Sequence, residues 1–134
     1  WREMKNPVQI RIYKFFALLR MKKIARFWSI MVGFDAPLQL PQNLILPHPY
    51  AVVINSHAVI GRDCVIYQSV TIGSDRAGNV PTIGDRVIIY SGSVIVGKVV
   101  IGDDSIIGAN SFVNSDVPKN SIAQGNPARV ISKM

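Results

Sequence analysis

The chain has one cysteine and two histidines among its 134 residues, and each shortage excludes a class of chemistry. Cys64 has no partner for a disulfide, so the fold stands without a crosslink and a reducing cytosol is the expected compartment. Two histidines and one cysteine supply no convincing zinc set, so no metal is expected, and no Ser-His-Asp arrangement can be read. No apolar run is long enough to span a bilayer, and no secretory signal with a small-residue cleavage site is visible. The first residue is Trp1, which points to a natural start trimmed from the N-terminus. Acidic side chains are scarce in one place only. Residues 1–34 carry eight basic side chains against Glu3 alone, whereas residues 35–134 carry seven of each sign. The net charge of +7 therefore sits in the N-terminal arm, and a nucleic-acid partner bound along the balanced remainder is disfavoured.

What the chain does have is an aliphatic residue returning every six positions. From Phe34 the series runs Leu40, Leu46, Ile54, Ile60, Ile66, Ile72, Ile83, Ile89, Ile95, Ile101, Ile107 and Val113, with an eight-residue step after Leu46 and an eleven-residue step after Ile72. Glycine often follows the aliphatic, and a small or apolar residue stands four positions after it, as at Leu38, Leu44, Cys64, Val87, Ser93 and Ser105. A period of six suits a short strand, a bend and the next strand. Three such units make one triangular coil, and coils stack at ~4.8 Å. The fold expected is a mainly β parallel β-helix of roughly four coils built from residues 33–118, followed by a C-terminal tail from 119 to 134. Its flanks stay open in so short a solenoid, so self-association is expected.

Residues 1–32 form the other regime, a helical arm. From about Pro7 to Val32 apolar residues such as Ile10, Tyr13, Phe16, Ala17, Phe27 and Trp28 recur at helical spacing among Arg11, Lys14, Lys22, Lys23 and Arg26. One or two amphipathic helices are expected, packing the apolar side on the end of the domain. A peripheral membrane contact of residues 7–32 is compatible with that packing.

Stacking the units by threes puts Leu46, Ile66, Ile89 and Ile107 on one face, and His48, Gln68, Ser91 and Ala109 in one column. Of the two histidines, His57 lies at a turn and reads as a surface residue. His48 stands between Pro47 and Pro49 in the irregular unit. The prolines restrict the backbone and fix the direction of an imidazole that titrates near neutrality, which suits a general base. The second irregularity is the loop Gly73–Thr82, and insertions in a solenoid mark its functional face.

The stretches PHPYAVVINSHAVIGRDCVIYQSVTIG, VPTIGDRVIIYSGSVIVGKVVIGDDSIIGANSFVNSDVP and GNPARV resemble the hexapeptide-repeat acyltransferases. Within them they look most like the serine acetyltransferase branch and its exopolysaccharide relatives, such as the colanic-acid acetyltransferases. The resemblance implies a left-handed coil, although general connection rules favour the other hand. It also implies a homotrimer with sites between subunits and acetyl-CoA as donor. His48 matches the family's catalytic histidine. Ser91, Gly92, Ala109 and Asn110 match the turns along which the pantetheine arm lies. Arg129 and Lys133 are assigned to the CoA phosphates, and Gln68 and Asp35 to the acceptor side.

Departures from the serine-specific pattern shape the reading. The acidic residue that lies fifteen positions before the histidine in serine acetyltransferases is Gly33 here, with Asp35 a nearby substitute. Pro47 replaces the Asp before the histidine, and Asn79-Val80 replaces the Arg-His pair of the long loop. The expectation is a cytoplasmic, acetyl-CoA-dependent O-acetyltransferase acting on a sugar hydroxyl of a polysaccharide precursor, peripheral at the inner face of the membrane. Serine O-acetyltransferase is the alternative, and a non-catalytic β-helix scaffold a second one.

Overall fold

The computed structural model describes residues 7–19, 21–31, 33–37, 40, 41 and 43–133. Expectations for Val32 and Leu38, and for the side chains of Tyr13, Ala17 and Lys133, lie outside the described residues. Two helices open the chain, α1 (Val8–Leu18) and α2 (Lys22–Met31). Short strands follow: β1 (Phe34–Asp35), β2 (Val52–Ile54), β3 (Val59–Ile60), β4 (Val65–Ile66), β5 (Thr71–Gly73), β6 (Thr82–Ile83), β7 (Ile88–Ile89), β8 (Val94–Val96), β9 (Val100–Ile101), β10 (Ile106–Ile107) and β11 (Phe112–Val113). The last two are longer, β12 (Ser121–Gly125) and β13 (Ala128–Lys133).

The strands distribute over three parallel sheets in rotation, as stacked coils require. The first sheet has the order β1-β2-β5-β8-β11, the second β4-β7-β10-β12-β13, and the third β3-β6-β9. Ile45 bridges to Val65 and extends the second sheet by one coil at its start, and Val117 bridges to Ile101 in the third. Among the described residues only β12 and β13 pair antiparallel. The register matches Ile66 with Ile89 and Ile107 with Ile89, the face expected from stacking by threes. β12 still pairs in parallel with β10, and Ser121 and Ala123 are buried there.

All thirteen hydrophobic residues of the six-residue series, Phe34 and twelve aliphatics, lie in the core, with Leu40 and Ile60 partly covered and the others buried. The position four residues on forms a second inward ladder of Leu44, Cys64, Val70, Val87, Ser93, Val99, Ser105, Ser111 and Val117. That position abuts the next coil's turn, and its hydroxyls are satisfied there. Ser93 Oγ donates to Gly108 O at 2.9 Å and Ser105 Oγ to Pro118 O at 2.8 Å. Cys64 does the same, its Sγ lying 3.1 Å from Gly84 O. Each buried Ile contributes roughly 1.5–3 kcal/mol. The exposed ion pairs Arg26–Asp35 and Arg86–Asp104 belong to a class worth ~0–1 kcal/mol. The ladder holds this fold.

Close stacking also explains the Ile-Gly pairs at Gly61 and Gly84. A Cβ on Gly61 would collide with Gly84 O, and one on Gly84 with the Asp103 turn above it. Below the first coil, Lys14 of α1 donates from Nζ to Pro41 O and Leu44 O, both at 3.1 Å. Its half-buried ammonium is held below the usual lysine value by desolvation. Packing of the arm differs from the simple expectation. Ile10, Ala25 and Ser29 are buried, but Phe15, Leu18, Phe27, Ile30 and Met31 face outward, because the end of the coil offers too narrow a seat for both apolar arcs.

Two outcomes follow. Ile89→Ala should lower stability by ~2–5 kcal/mol, measured by urea denaturation. Burial pushes the Cys64 thiol up from 9.0 to about 11, so the native protein should resist thiol reagents that react once it unfolds. Because the folded value is the higher one, the thiol's stabilising contribution is complete below the unfolded value of 9.0 and lost as pH rises toward about 11. Cys64→Ala should flatten the decline in stability across that window.

Candidate functional site

His48 lies at the corner where the second sheet hands over to the first. Ile45, three residues earlier, is bridged to Val65, which fixes the start of the turn. Pro49 is buried and anchors it, leaving His48 exposed between two restrained backbone positions. The next layer is tied to this turn by Ser69 N donating to Tyr50 O at 2.9 Å. Left-handed backbone is repeated in every layer of this corner: Gly33 at φ 64°, Ala51 at 54°, Ser69 at 58°, Gly92 at 72° and Asn110 at 55°. Gly33, where the family's acidic residue would stand, is thus one layer of a strained turn that glycine enters at no steric cost.

Register brings the column together as expected. Val65 pairs with Ile88, and Ile106 with Ile88, so His48, Gln68, Ser91 and Ala109 follow one another up the corner. Gly92 N donates to Gln68 O at 3.1 Å, and Asn110 N to Ser91 O at 2.9 Å. Gly92 has no room for a side chain, because Asn110 Oδ1 occupies the place of its missing Cβ. The pairing of Ile106 with Ile122 carries the column on to Gly125, where the turn to β13 begins. Arg129 is exposed beside that turn, its Nη1 donating to Ala128 O at 2.8 Å. From His48 to the turn is four inter-strand steps, roughly 19 Å. The Lys133 side chain lies outside the described residues.

Gln68 presents a buried Oε1 with no hydrogen-bond partner among the described residues. An acceptor of this kind is satisfied when a ligand or a second subunit supplies an N–H or O–H. Asp35 goes elsewhere. Its Oδ1 pairs with Arg26 Nη1 at 3.0 Å, and no described contact joins it to His48. In the Gly73–Thr82 loop, Asp75 accepts from the amides of Ala77 and Asn79, both at 2.9 Å, and from Asn79 Nδ2 at 2.8 Å. Asn79 and these amides hold the Asp75 carboxyl below its usual range. The loop is a closed turn whose polar groups bond one another. His57 is exposed, with Nδ1 3.3 Å from Ser56 Oγ.

Sequence reasoning missed an aromatic stack. Tyr67 and Tyr90 lie with centroids 5.2 Å apart and planes at 23°, and His48 is tilted against Tyr67 at 6.5 Å. Burial, then the charge of the neighbouring Tyr90, raises the Tyr67 phenol above its ordinary value. The signal was present, since each tyrosine directly follows an aliphatic of the second sheet. The arrangement sets an imidazole with an aromatic flank at one end of a column of mostly small residues, and a guanidinium beside the turn at the other. It suits an extended ligand with an anionic end whose reacting centre lies beside the imidazole.

The family model described as bacterial transferase hexapeptide (six repeats) matches residues 81–115. Serine acetyltransferase of Mycobacterium tuberculosis is 38% identical over 122 residues, covering 87% of this chain and 53% of that protein. The Helicobacter pylori enzyme of the same name is 34% identical over 122 residues, covering 89% and 71%. The crystal structure of serine acetyltransferase from Brucella abortus in complex with Coenzyme A matches with a TM-score of 0.78 at 27% identity, covering 94% of this chain and 54% of that chain. The chain spans about half the length of the first and third of these proteins. Repeat and shared architecture make the coil a left-handed parallel β-helix, the hand expected from the resemblance. Gly92→Ala should cost at least ~1–2 kcal/mol, since its φ of 72° is left-handed and Asn110 fills the space; a thermal melt checks it.

Proposed function

The chain belongs to the serine acetyltransferase family of hexapeptide-repeat transferases, and on that premise we propose that it is an acetyl-CoA-dependent O-acetyltransferase with His48 as general base and serine as acceptor. The observation that carries the reading is the column from His48 to the β12–β13 turn. The thioester would lie beside the imidazole, the pantetheine arm along Ser91, Gly92, Ala109 and Asn110, and the phosphates toward Arg129. Small side chains leave that groove unfilled. Neutral His48 would take the proton of the acceptor hydroxyl as its oxygen attacks the thioester carbonyl. Collapse of the tetrahedral intermediate then expels CoA thiolate, and the imidazolium returns the proton to sulfur. Such proton transfer is worth about 10²–10⁴-fold in rate. Gln68 Oε1 would accept a hydrogen bond from the acceptor.

Serine is favoured as acceptor by the relatives, whose name states it, and it takes precedence over the sugar hydroxyl expected from the loop residues. One observation keeps the sugar as a second reading. Asn79 is spent on Asp75 and Asp35 on Arg26, so neither reaches out to an amino acid. We take the active unit to be a homotrimer working in the cytoplasm. Exposed Val53, Val59 and Val100 on the sheet faces give copies of the chain something to cover, and light scattering measures the assembly.

His48→Ala should lower acetyl transfer by about 10²–10⁴-fold with an unchanged thermal melt, because the side chain is exposed. Release of CoA thiol, followed with serine and with nucleotide-sugar or lipid-linked acceptors, distinguishes the two readings. Absence of CoA binding by calorimetry would instead return the chain to a scaffold role.

A further inference from the structure

The arm carries its apolar surface on the wrong side for a helix that only packs on its own domain. On α2 the buried residues are the small Ala25 and Ser29, while Phe27, Ile30 and Met31 are 63%, 68% and 67% exposed. Phe15 and Leu18 of α1 are exposed as well. At 100° per residue, Ile24, Phe27, Ile30 and Met31 fall on one arc of α2 with Lys23 inside it. Lys22 and Arg26 border that arc, and between residues 7 and 34 there is no acidic side chain. Beside α2 runs a groove of about 1360 Å³, lined on the helix side by Lys22, Lys23 and Arg26 together with Phe27 and Ile30, and with Asp35 on its wall.

We propose that this face lies in the plane of an anionic phospholipid bilayer, with Phe27, Ile30 and Met31 turned toward the acyl chains and Lys22 and Lys23 at the level of the headgroup phosphates. Charge selects this occupant. A second copy of the same face would set one uncompensated basic arc against another, and the nearest acidic residue, Asp35, is already paired to Arg26. Nucleic acid would satisfy the lysines but leave the bulky apolar residues in water. A neutral bilayer would cover the apolar arc and leave Lys22 and Lys23 without counter-charge. Neither helix is long and apolar enough to cross a membrane, so the contact is interfacial. The inference stands apart from the acetyl-transfer reading, since the arm and the His48 column share no residue.

The test is flotation of the full chain with phosphatidylcholine vesicles and with vesicles containing roughly one-third phosphatidylglycerol, at ~0.1 M and ~1 M salt. Binding should favour the anionic vesicles by at least ~10-fold and fall at high salt, since each basic residue near the surface gives a factor of about five. Lys22→Gln with Lys23→Gln should weaken it by ~10-fold or more. Phe27→Asp with Ile30→Asp should abolish it, while circular dichroism and acetyl transfer with a soluble acceptor stay unchanged. Equal binding to both vesicles, or none, would overturn the proposal. So would a drop in oligomer size in the Phe27→Asp, Ile30→Asp variant, which would make the face a contact between copies, or a preference for an oligonucleotide competitor over vesicles.

Discussion

Every coil of this protein is hydrogen-bonded to the next through parallel strands, at the ~4.8 Å spacing of a sheet. That spacing leaves each side chain only the thickness of its own layer. Inside, the layer admits one branched aliphatic per strand and a smaller residue at each bend. At the corners it permits only a turn that does not rise into the coil above, which is why Gly61 and Gly84 lack a Cβ and why Asp63, Arg86, Asp104 and Asn120 repeat a left-handed backbone at one corner. A substitution that thickened one layer would have to lift every coil above it.

The same constraint makes the candidate site a property of the stack. His48, Gln68, Ser91 and Ala109 are far apart in sequence and adjacent in space because the register of the second sheet leaves no alternative. A column formed this way is fixed by the hydrogen bonds of the sheet, so its arrangement is set before any ligand arrives and less ordering entropy is lost on binding. The longest departure from the six-residue repeat is the Gly73–Thr82 loop, which leaves the ladder between β5 and β6, after which β6 pairs in register with β3. A change in this loop leaves the register of the column untouched.

Much of this was legible because period six has few physical solutions. The aliphatic series, the inward Cys64 and the column above His48 all followed from counting residues. What the count could not reach were contacts decided in three dimensions. Asp35 was a reasonable stand-in beside His48 in sequence, yet the outward face of the first sheet placed it against Arg26. The helical pattern of the arm was visible, but which arc would find a partner depended on how much surface the end of the coil could cover. The Tyr67–Tyr90 stack followed from the same register as the column and was overlooked because neither residue matched a functional motif. The acceptor is legible least of all. Residues around it can be read as missing, and serine is proposed on the relatives' names alone.

The hydrogen bonds of Lys14 to Pro41 O and Leu44 O have a consequence for growth. In each later coil of the second sheet, a carbonyl at that position receives an amide from the coil beneath, as Cys64 O does from Ile45 N and Val87 O from Val65 N. Lys14 supplies that donor where the stack begins, and β13, turned antiparallel on β12, covers the far edge of the same sheet. A solenoid is in principle an open polymer whose last layer templates the next. Ending the parallel stacking of one sheet with elements of its own chain turns it into a countable object. Whole coils could then be gained or lost in evolution between two fixed ends, without the last parallel strand templating a further coil.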